Sequence, residues 1–249
     1  MKVKKEIVTG ILVVAILAAG FTLFYNYGMS GERNRLARRI AELGNPGGPP
    51  ETVEGLREAI SLYEKQIEQH VKDAAQTGVY WKILATRLQD RGLHNEALKA
   101  LEQAVYYSPQ DPSLLYLTGI SAARVAKGFL DFRGGAAGSS ESYYALAEDA
   151  YRKAIAVDDR YVKPMYALGV LYVFELGRPA DAIPVMERYL DLTSNDVEGM
   201  ALLAHAYALT SQYEFALNLY DRILSITKDK DKRAAVEENR RQVMDSYYG

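Results

Sequence analysis

The sequence contains no cysteine, one tryptophan and only three histidines. Without cysteine the chain has no disulfide, no thiol nucleophile and no cysteine to carry an N-terminal lipid. His70, His94 and His205 show no ligand-type spacing, so we expect each to be solvated or hydrogen-bonded and none to hold a metal ion. No catalytic constellation stands out elsewhere. We therefore expect a protein without a cofactor or metal that is not an enzyme.

The chain also lacks an excess of positive charge. It has 30 Lys and Arg against 32 Asp and Glu, for a formal net charge of −2. Basic residues gather near the N-terminus, in Lys2–Lys5 and Arg33–Arg39, and the remainder is mildly acidic. This balance gives no support to nucleic-acid binding, which favours a strongly basic face, and it fits a protein tethered at a membrane.

One stretch near the N-terminus lacks charge altogether. No charged residue lies between Glu6 and Glu32, and residues 7–25 are almost wholly apolar. As a helix this run would span about 28 Å, close to the hydrocarbon thickness of a bilayer. Lysines precede it, and Tyr25 and Tyr27 follow where aromatic side chains favour the interface. We predict a single-pass membrane anchor.

Two points about this segment stay open. A cleaved signal peptide is the alternative, with Ala18-Ala19-Gly20 as a small-residue site, but the apolar run continues past Gly20. The lysines before the run place the N-terminus in the cytoplasm, whereas Arg33–Arg39 argue for the opposite orientation. We expect the remainder of the chain on the extracytoplasmic side, because a short tail before such an anchor usually stays inside.

A repeat dominates the rest of the chain. Trp81, Leu115, Met165 and Met200 open similar patterns at spacings of 34, 50 and 35 residues. Ala97, Ala147, Ala182 and Ala216 recur in the second half of each pattern. Apolar residues three and four positions apart give each half a helical stripe, so each unit is predicted to be a pair of helices. The fold class is therefore all-α.

These units resemble the tetratricopeptide repeat. The first unit shows Trp81, Ala85, Ala97 and Pro109 where that family has Trp, Gly, Ala and Pro. Small residues at Ala85, Gly119, Gly169 and Ala204 are expected where helices approach closely, and larger ones such as Leu84, Leu88 and Leu101 are expected to fill the space between. The resemblance implies a right-handed superhelix of stacked helix pairs with a concave groove.

The predicted organisation divides the chain into five parts. These are the tail and anchor at 1–28, a stalk helix and Gly/Pro linker at 29–50, a leading helix or degenerate half-repeat at 51–77, four repeats at 78–228, and a capping helix at 229–249. The leading helix has an apolar stripe of Leu56, Ala59, Tyr63 and Ile67. The repeats occupy 78–111, 112–159, 160–195 and 196–228.

Two repeats are longer than the others. The third carries one extra residue and the second carries 16, placed at 126–141. We expect both insertions in the connections between helices, where repeat proteins accept them. The Gly134–Ser140 stretch lacks the Gly-Lys-Ser/Thr ending of a phosphate loop, so it is predicted to be a flexible loop. Phe129, Leu130 and Phe132 either pack back onto the array or offer a contact to a partner or to the membrane surface.

The resemblance also implies a binding surface. In the family the groove is lined by the first helix of each repeat, and several aligned positions here carry aromatic or charged side chains. The predicted groove residues are Lys82, Thr86, Gln89, Tyr116, Ile120, Lys163, Tyr166, Val170 and His205. Tyrosine provides contact area at low entropic cost, which suits a protein interface.

The same resemblance sets limits on the partner. A chaperone-binding subtype grips a C-terminal carboxylate with five residues, of which only Lys82 and Lys163 have counterparts here. Thr86, Leu117 and Ala167 replace the other three, so no chaperone-tail site is predicted. We expect a membrane-anchored scaffold that binds a peptide or helix of another protein. The resemblance to bacterial anchored repeat proteins implies an anchor in the cytoplasmic membrane and a role in assembly of an envelope complex. The alternative is a structural element of a membrane complex that self-associates as a homo-oligomer.

Overall fold

The computed structural model describes residues 52–132 and 137–248, with the backbone alone at 129–132 and 137–139. The chain divides into two compact units, Met1–Ala74 and Ala75–Gly249. Of the first unit, only residues 52–74 are described, and they are helical from Val53 onward. The predicted anchor at 7–25 lies outside the described residues. Within them, no helix combines the length and apolar character needed to cross a membrane.

All regular structure in the described part of the chain is helical, which confirms the predicted class. The helices are α1 (Val53–Asp90), α2 (His94–Tyr107), α3 (Pro112–Phe132), α4 (Ala137–Val157), α5 (Val162–Val170), α6 (Pro179–Leu192), α7 (Val197–Leu209), α8 (Tyr213–Ile226) and α9 (Lys230–Tyr248). A π-helical turn, Leu171–Glu175, continues α5. The predicted boundary between residues 77 and 78 lies inside α1, which runs without a break through both segments.

The second unit contains the four predicted helix pairs in sequence. They are the C-terminal part of α1 with α2, α3 with α4, α5 and its π-helical turn with α6, and α7 with α8. Consecutive helices pack on one another from α2 to α9. The last helix, α9, contributes Val236 and Val243 to the same core as the repeats, and its Arg240 pairs with Asp221 of α8 at 2.6 Å.

Small side chains lie at the points of closest approach, as predicted. Ala97, Ala147, Ala182 and Ala216 are completely buried. A Cβ atom placed on Gly119 would lie 2.3 Å from Cε1 of the buried Tyr151 ring, so only glycine fits there. The helix pairs therefore depend on these positions for their spacing.

One packing expectation is wrong. Leu84 is 44% exposed and lies among other exposed apolar side chains of α1, including Val79, Tyr80 and Ile83. The equivalent Leu168 and Leu203 of the third and fourth repeats are buried. The first repeat has no earlier repeat among the described residues to cover this side, and the pattern of one unit could not reveal that.

In its described part, the 16-residue insertion lengthens two helices. Helices α3 and α4 have 21 residues each, against 13 and 14 for α7 and α8. Ser140, predicted to be in a loop, is buried and its Oγ donates to the Ala126 carbonyl at 3.0 Å. The side chains of Phe129, Leu130 and Phe132 lie outside the described part. The remaining residues of the insert, 133–136, are not described.

The single extra residue of the third repeat is accommodated inside its first helix. In the π-helical turn, the Leu176 amide donates to the Leu171 carbonyl five residues earlier at 3.0 Å. A π-helical turn takes up one residue more than an α-helical turn, so the following helix stays in phase. The expected position in the connection between helices is therefore corrected to the end of α5.

Candidate functional site

The four first helices of the second unit form one surface, which we call the first-helix groove. At its centre, between α3 and α5, lies an open cavity of about 430 Å³. Four predicted groove residues line this cavity together: Tyr116, Ile120, Tyr166 and Val170. The other predicted groove residues lie elsewhere along the same helices.

The tyrosines of the cavity belong to two aromatic clusters. Tyr116 contacts Tyr161 edge to face, with ring centroids 5.6 Å apart, and lies 6.1 Å from the buried Tyr151. Tyr166 lies 5.6 Å from Tyr189. Burial raises the pKa of Tyr116 and of Tyr166, so both phenols stay neutral at physiological pH. These half-buried rings are held in place by packing and offer preformed apolar surface.

Tyr189, whose ring packs against Tyr166, also holds the start of the next helix through its hydroxyl. It donates to Asp196 Oδ2 at 2.7 Å, and the same oxygen accepts the Gly199 amide at 3.0 Å. Asp196 is thus the N-cap of α7, as its position in the sequence predicted. Burial, followed by this hydrogen bond, raises the pKa of Tyr189 to about 12. The floor of the groove is therefore tied to the start of the fourth repeat.

Charge is distributed unevenly around the cavity. Arg124 is exposed at its edge and has no hydrogen-bond or ion-pair partner among the described residues. Lys127 lies 3.4 Å from Glu175, whose second carboxylate oxygen accepts the Tyr144 hydroxyl at 2.7 Å. Glu175, the carboxylate among the described residues that line the cavity, therefore already has two partners. Two cations against this one carboxylate give the cavity a net positive charge, which suits an anionic group.

Two of the predicted groove residues join the first two repeats. Lys82 Nζ pairs with Asp111 Oδ2 at 2.8 Å and also contacts Ser113 Oγ. Gln89 Nε2 donates to the Leu117 carbonyl at 2.9 Å and to Ser121 Oγ at 2.8 Å. Asp111 is desolvated, but its hydrogen bonds to Lys82 and Ser113 outweigh this and lower its pKa. Both side chains thus have polar partners within the array.

The other three predicted residues lie outside the central cavity. Thr86 is exposed and donates to the Lys82 carbonyl at 3.0 Å. Lys163 is exposed at the start of α5 and lacks an ion-pair partner within the described range. His205 is half-buried and stacks on Phe174, with ring centroids 5.6 Å apart and planes 15° apart. Phe174 is 60% exposed on the π-helical turn, so this pair extends the groove toward the fourth repeat.

Sequence reasoning missed four groove residues that the structure places beside the predicted ones. These are Arg124, Lys127, Phe174 and Glu175. Arg124 and Lys127 continue the helical stripe of Tyr116 and Ile120 at spacings of four and three, which was a usable signal. Phe174 and Glu175 depend on the π-helical turn, and the spacing of the repeats did not locate that turn.

A second, larger crevice of about 650 Å³ lies between the second helices of the first two repeats. Its floor is apolar, with Leu98, Val105, Leu115 and Tyr143 among its lining residues. Its rim carries charges of both signs, including the ion pair of Lys153 with Asp149 at 2.7 Å. None of its residues was predicted as a site, and its charges balance. The first-helix groove therefore remains the better candidate.

The histidines form no metal site in the described part of the chain. No group of three or more potential metal ligands occurs among the residues that the structure describes. His94 differs from expectation, because its buried Nδ1 has no hydrogen-bond partner within residues 52–132 and 137–248. Burial and the nearby Arg124 lower the pKa of His94, so the neutral ring is favoured in the fold.

Comparison with known proteins agrees with the helix pairs described above. Residues 200–234 match the family model of the tetratricopeptide repeat. Over 142 residues the chain is 26% identical to anaphase-promoting complex subunit 3 of Schizosaccharomyces pombe. That match covers 57% of this chain and 19% of the relative, so the chain spans about a fifth of that protein's length.

Solved structures show the same fold. MamA from residue 41 to its end, from Desulfovibrio magneticus RS-1, is similar with a TM-score of 0.53 and 19% identity, covering 68% of this chain and 94% of that one. YrrB, a tetratricopeptide-repeat protein with an unusual peptide-binding site, has a TM-score of 0.55 and 16% identity, with coverages of 73% and 84%. TTC0263, a thermophilic protein of Thermus thermophilus, has a TM-score of 0.51 and 20% identity, with coverages of 82% and 97%. Residues 200–234 thus match one tetratricopeptide repeat, and the helix pairs of the second unit have the fold of these solved structures.

Proposed function

We propose that this protein is a scaffold that binds a segment of another protein in the first-helix groove. The observation that carries the proposal is the cavity between α3 and α5, where Tyr116, Ile120, Tyr166 and Val170 form an apolar floor beside the exposed Arg124. Preformed aromatic surface with one or two charged groups at its edge is the usual composition of a peptide site.

The charged residues around the cavity indicate which residue types the bound segment should carry. Arg124 and Lys127 lie on one stripe of α3, and the lining carboxylate, Glu175, is engaged by Tyr144 and Lys127. A ligand with an acidic residue beside an apolar or aromatic one would pair with Arg124 while covering the tyrosines. The mode of action is docking, and no residue of the groove is assigned a catalytic role.

The test uses the full chain in detergent and a displayed library of random 12-residue peptides. Selected peptides should be enriched in Asp or Glu next to an apolar residue. Replacing Arg124 with Gln should weaken a selected peptide about 10-fold, because a charge-assisted hydrogen bond contributes about 1.5–3 kcal/mol. Replacing Tyr116 and Tyr166 with Ala should weaken it at least as much.

Arg91→Gln is the matched control, since Arg91 is exposed in the turn after α1, away from the cavity. Circular dichroism should show unchanged helix content in each variant. Selection of peptides without acidic residues, or equal binding by the Arg124 and Arg91 variants, would contradict the proposal.

We also propose that residues 7–25 hold this scaffold in a membrane, with the repeats on the extracytoplasmic side, where they serve assembly of an envelope complex. The charge-free run and the lysines before it support this proposal. In cell fractions the full chain should stay with the membrane after a carbonate wash, and a variant lacking residues 7–25 should be released. Protease added outside the cytoplasmic membrane should cut the repeats, and full protection would reverse the assigned orientation.

A further inference from the structure

The described part of the first unit carries an exposed apolar seam at heptad spacing. Five side chains of α1, namely Val53, Leu56, Ile60, Tyr63 and Ile67, are each between 42% and 62% exposed. They follow one another at alternating steps of three and four residues, and His70 and Ala74 complete three heptads. This is the a and d pattern of a coiled coil, extending over about 32 Å of helix.

Two charged residues border the seam without partners in the described part of the chain. Arg57 and Glu64 occupy successive e positions of these heptads. Neither makes a hydrogen bond or ion pair within residues 52–132 and 137–248, whereas Glu68, on another face of α1, pairs with Lys72 at 2.6 Å. Seven residues apart, Arg57 and Glu64 are about 10 Å distant along the axis and cannot pair within one helix.

We propose that this seam is a dimer interface in which α1 of a second copy of the chain packs antiparallel against residues 53–74. In the register that places Ile60 opposite Tyr63, Leu56 faces Ile67 of the other copy and Val53 faces His70. The e positions of antiparallel helices lie next to each other, so Arg57 of each copy then lies beside Glu64 of the other. Twofold symmetry forms this ion pair twice.

The charges select this arrangement over a parallel one. In a parallel dimer the e positions face the g positions of the partner, which places Arg57 beside Thr52 and Glu64 beside Ala59. Neither of these contacts forms an ion pair, because Thr52 and Ala59 are uncharged. The second copy is thus an occupant that satisfies both the apolar seam and the charges that flank it.

The absence of cysteine makes the register directly measurable in the full chain, in detergent. Leu56→Cys and Ile67→Cys chains, carrying tags of different size, are mixed and oxidised. We expect disulfides mainly between unlike chains, at more than 10-fold the yield of 56–56 or 67–67 products. A 56–56 product in excess would show a parallel dimer and overturn the register. Absence of cross-links would overturn the interface itself.

Equilibrium sedimentation of the cysteine-free chain provides a second measurement. Ile60→Asp should raise the dimer dissociation constant at least 100-fold, whereas Ser61→Asp, which adds the same charge off the seam, should change it less than 3-fold. Arg57→Glu or Glu64→Arg should each weaken the dimer, and the double exchange should restore it. Loss of dimer in the Ser61 variant, or no rescue by the double exchange, would contradict the model. Peptide binding in the groove is scored separately, since the Ile60 variant should retain it.

Discussion

Replacing Gly119 with alanine is expected to lower the free energy of unfolding by about 1–3 kcal/mol, although alanine is ordinarily the better helix former. The new methyl carbon would lie 2.3 Å from Cε1 and 2.5 Å from Cδ1 of Tyr151. That ring is 3% exposed, so it cannot move aside without displacing α4 from α3. Overpacking of this kind shifts the backbone and strains side chains.

Gly128, in the same helix, is the matched control. A Cβ atom there meets nothing within 4 Å. Alanine at this position should therefore raise the free energy of unfolding by about 0.5–1 kcal/mol, through helix propensity alone. Urea titrations followed by circular dichroism would measure both variants. If the free energy of unfolding changed in the same direction in both variants, close packing against Tyr151 would not be the reason for glycine at position 119.

Replacing Leu101 with alanine is expected to cost about 2–5 kcal/mol and to loosen the first repeat before the others. Leu101 is completely buried in a small cluster whose other buried members are Ala85, Ala100, Ala104 and Leu114. Alanine neighbours cannot fill the cavity that its loss would leave. Because stability in a repeat array is approximately the sum of local terms, the damage should concentrate in α2 and its neighbours.

Hydrogen exchange resolved along the chain provides the measurement. In the Leu101 variant, amides of α2 should exchange faster while those of α8 stay protected. Tyr106→Ala, on the same helix but 78% exposed, should change stability by less than about 0.5 kcal/mol. Equal loss of protection in α2 and α8 would show that the array unfolds as a single unit and that local summation fails here.

The helix pairs could be predicted from sequence because the same residue types recur at the same packing positions in each repeat. Ala97, Ala147, Ala182 and Ala216 recur where two helices meet, and all four are fully buried. Periodicity and residue size are local properties of the chain, so they are visible without a structure. The prediction for Leu84 failed because its burial depends on a neighbouring repeat and not on its own unit.

The loop prediction was wrong for residues 137–140, for a related reason. The composition of Gly134–Ser140 favours a loop, yet residues 137–140 begin helix α4. Long-range contacts outweigh local propensity here. Val125 and Tyr144 are buried as α3 and α4 extend together, and Ser140 donates to the Ala126 carbonyl across the pair. A contact between two helices cannot be predicted from the composition of either segment alone.

The candidate site was predictable in part. Tyr116, Ile120, Tyr166 and Val170 were predicted because their positions repeat with the units, and the structure places all four around one cavity. The partner of Lys82 could not be found in this way, because Asp111 lies 29 residues further along the chain and is adjacent only in the fold. Glu175 lies at the cavity because it is part of the π-helical turn, and the residue types at Leu171–Glu175 do not predict such a turn.

The π-helical turn has a consequence for how this chain tolerates changes in length. In the segment Leu171–Glu175, one surplus amino acid is absorbed as a local widening of the helix, and the stacked modules before and after it keep their alignment. Removing one amino acid there would return the third repeat to the length of the first and fourth. Gene variants that differ by one codon at this place would thus encode proteins with the same layered core and a reshaped binding surface.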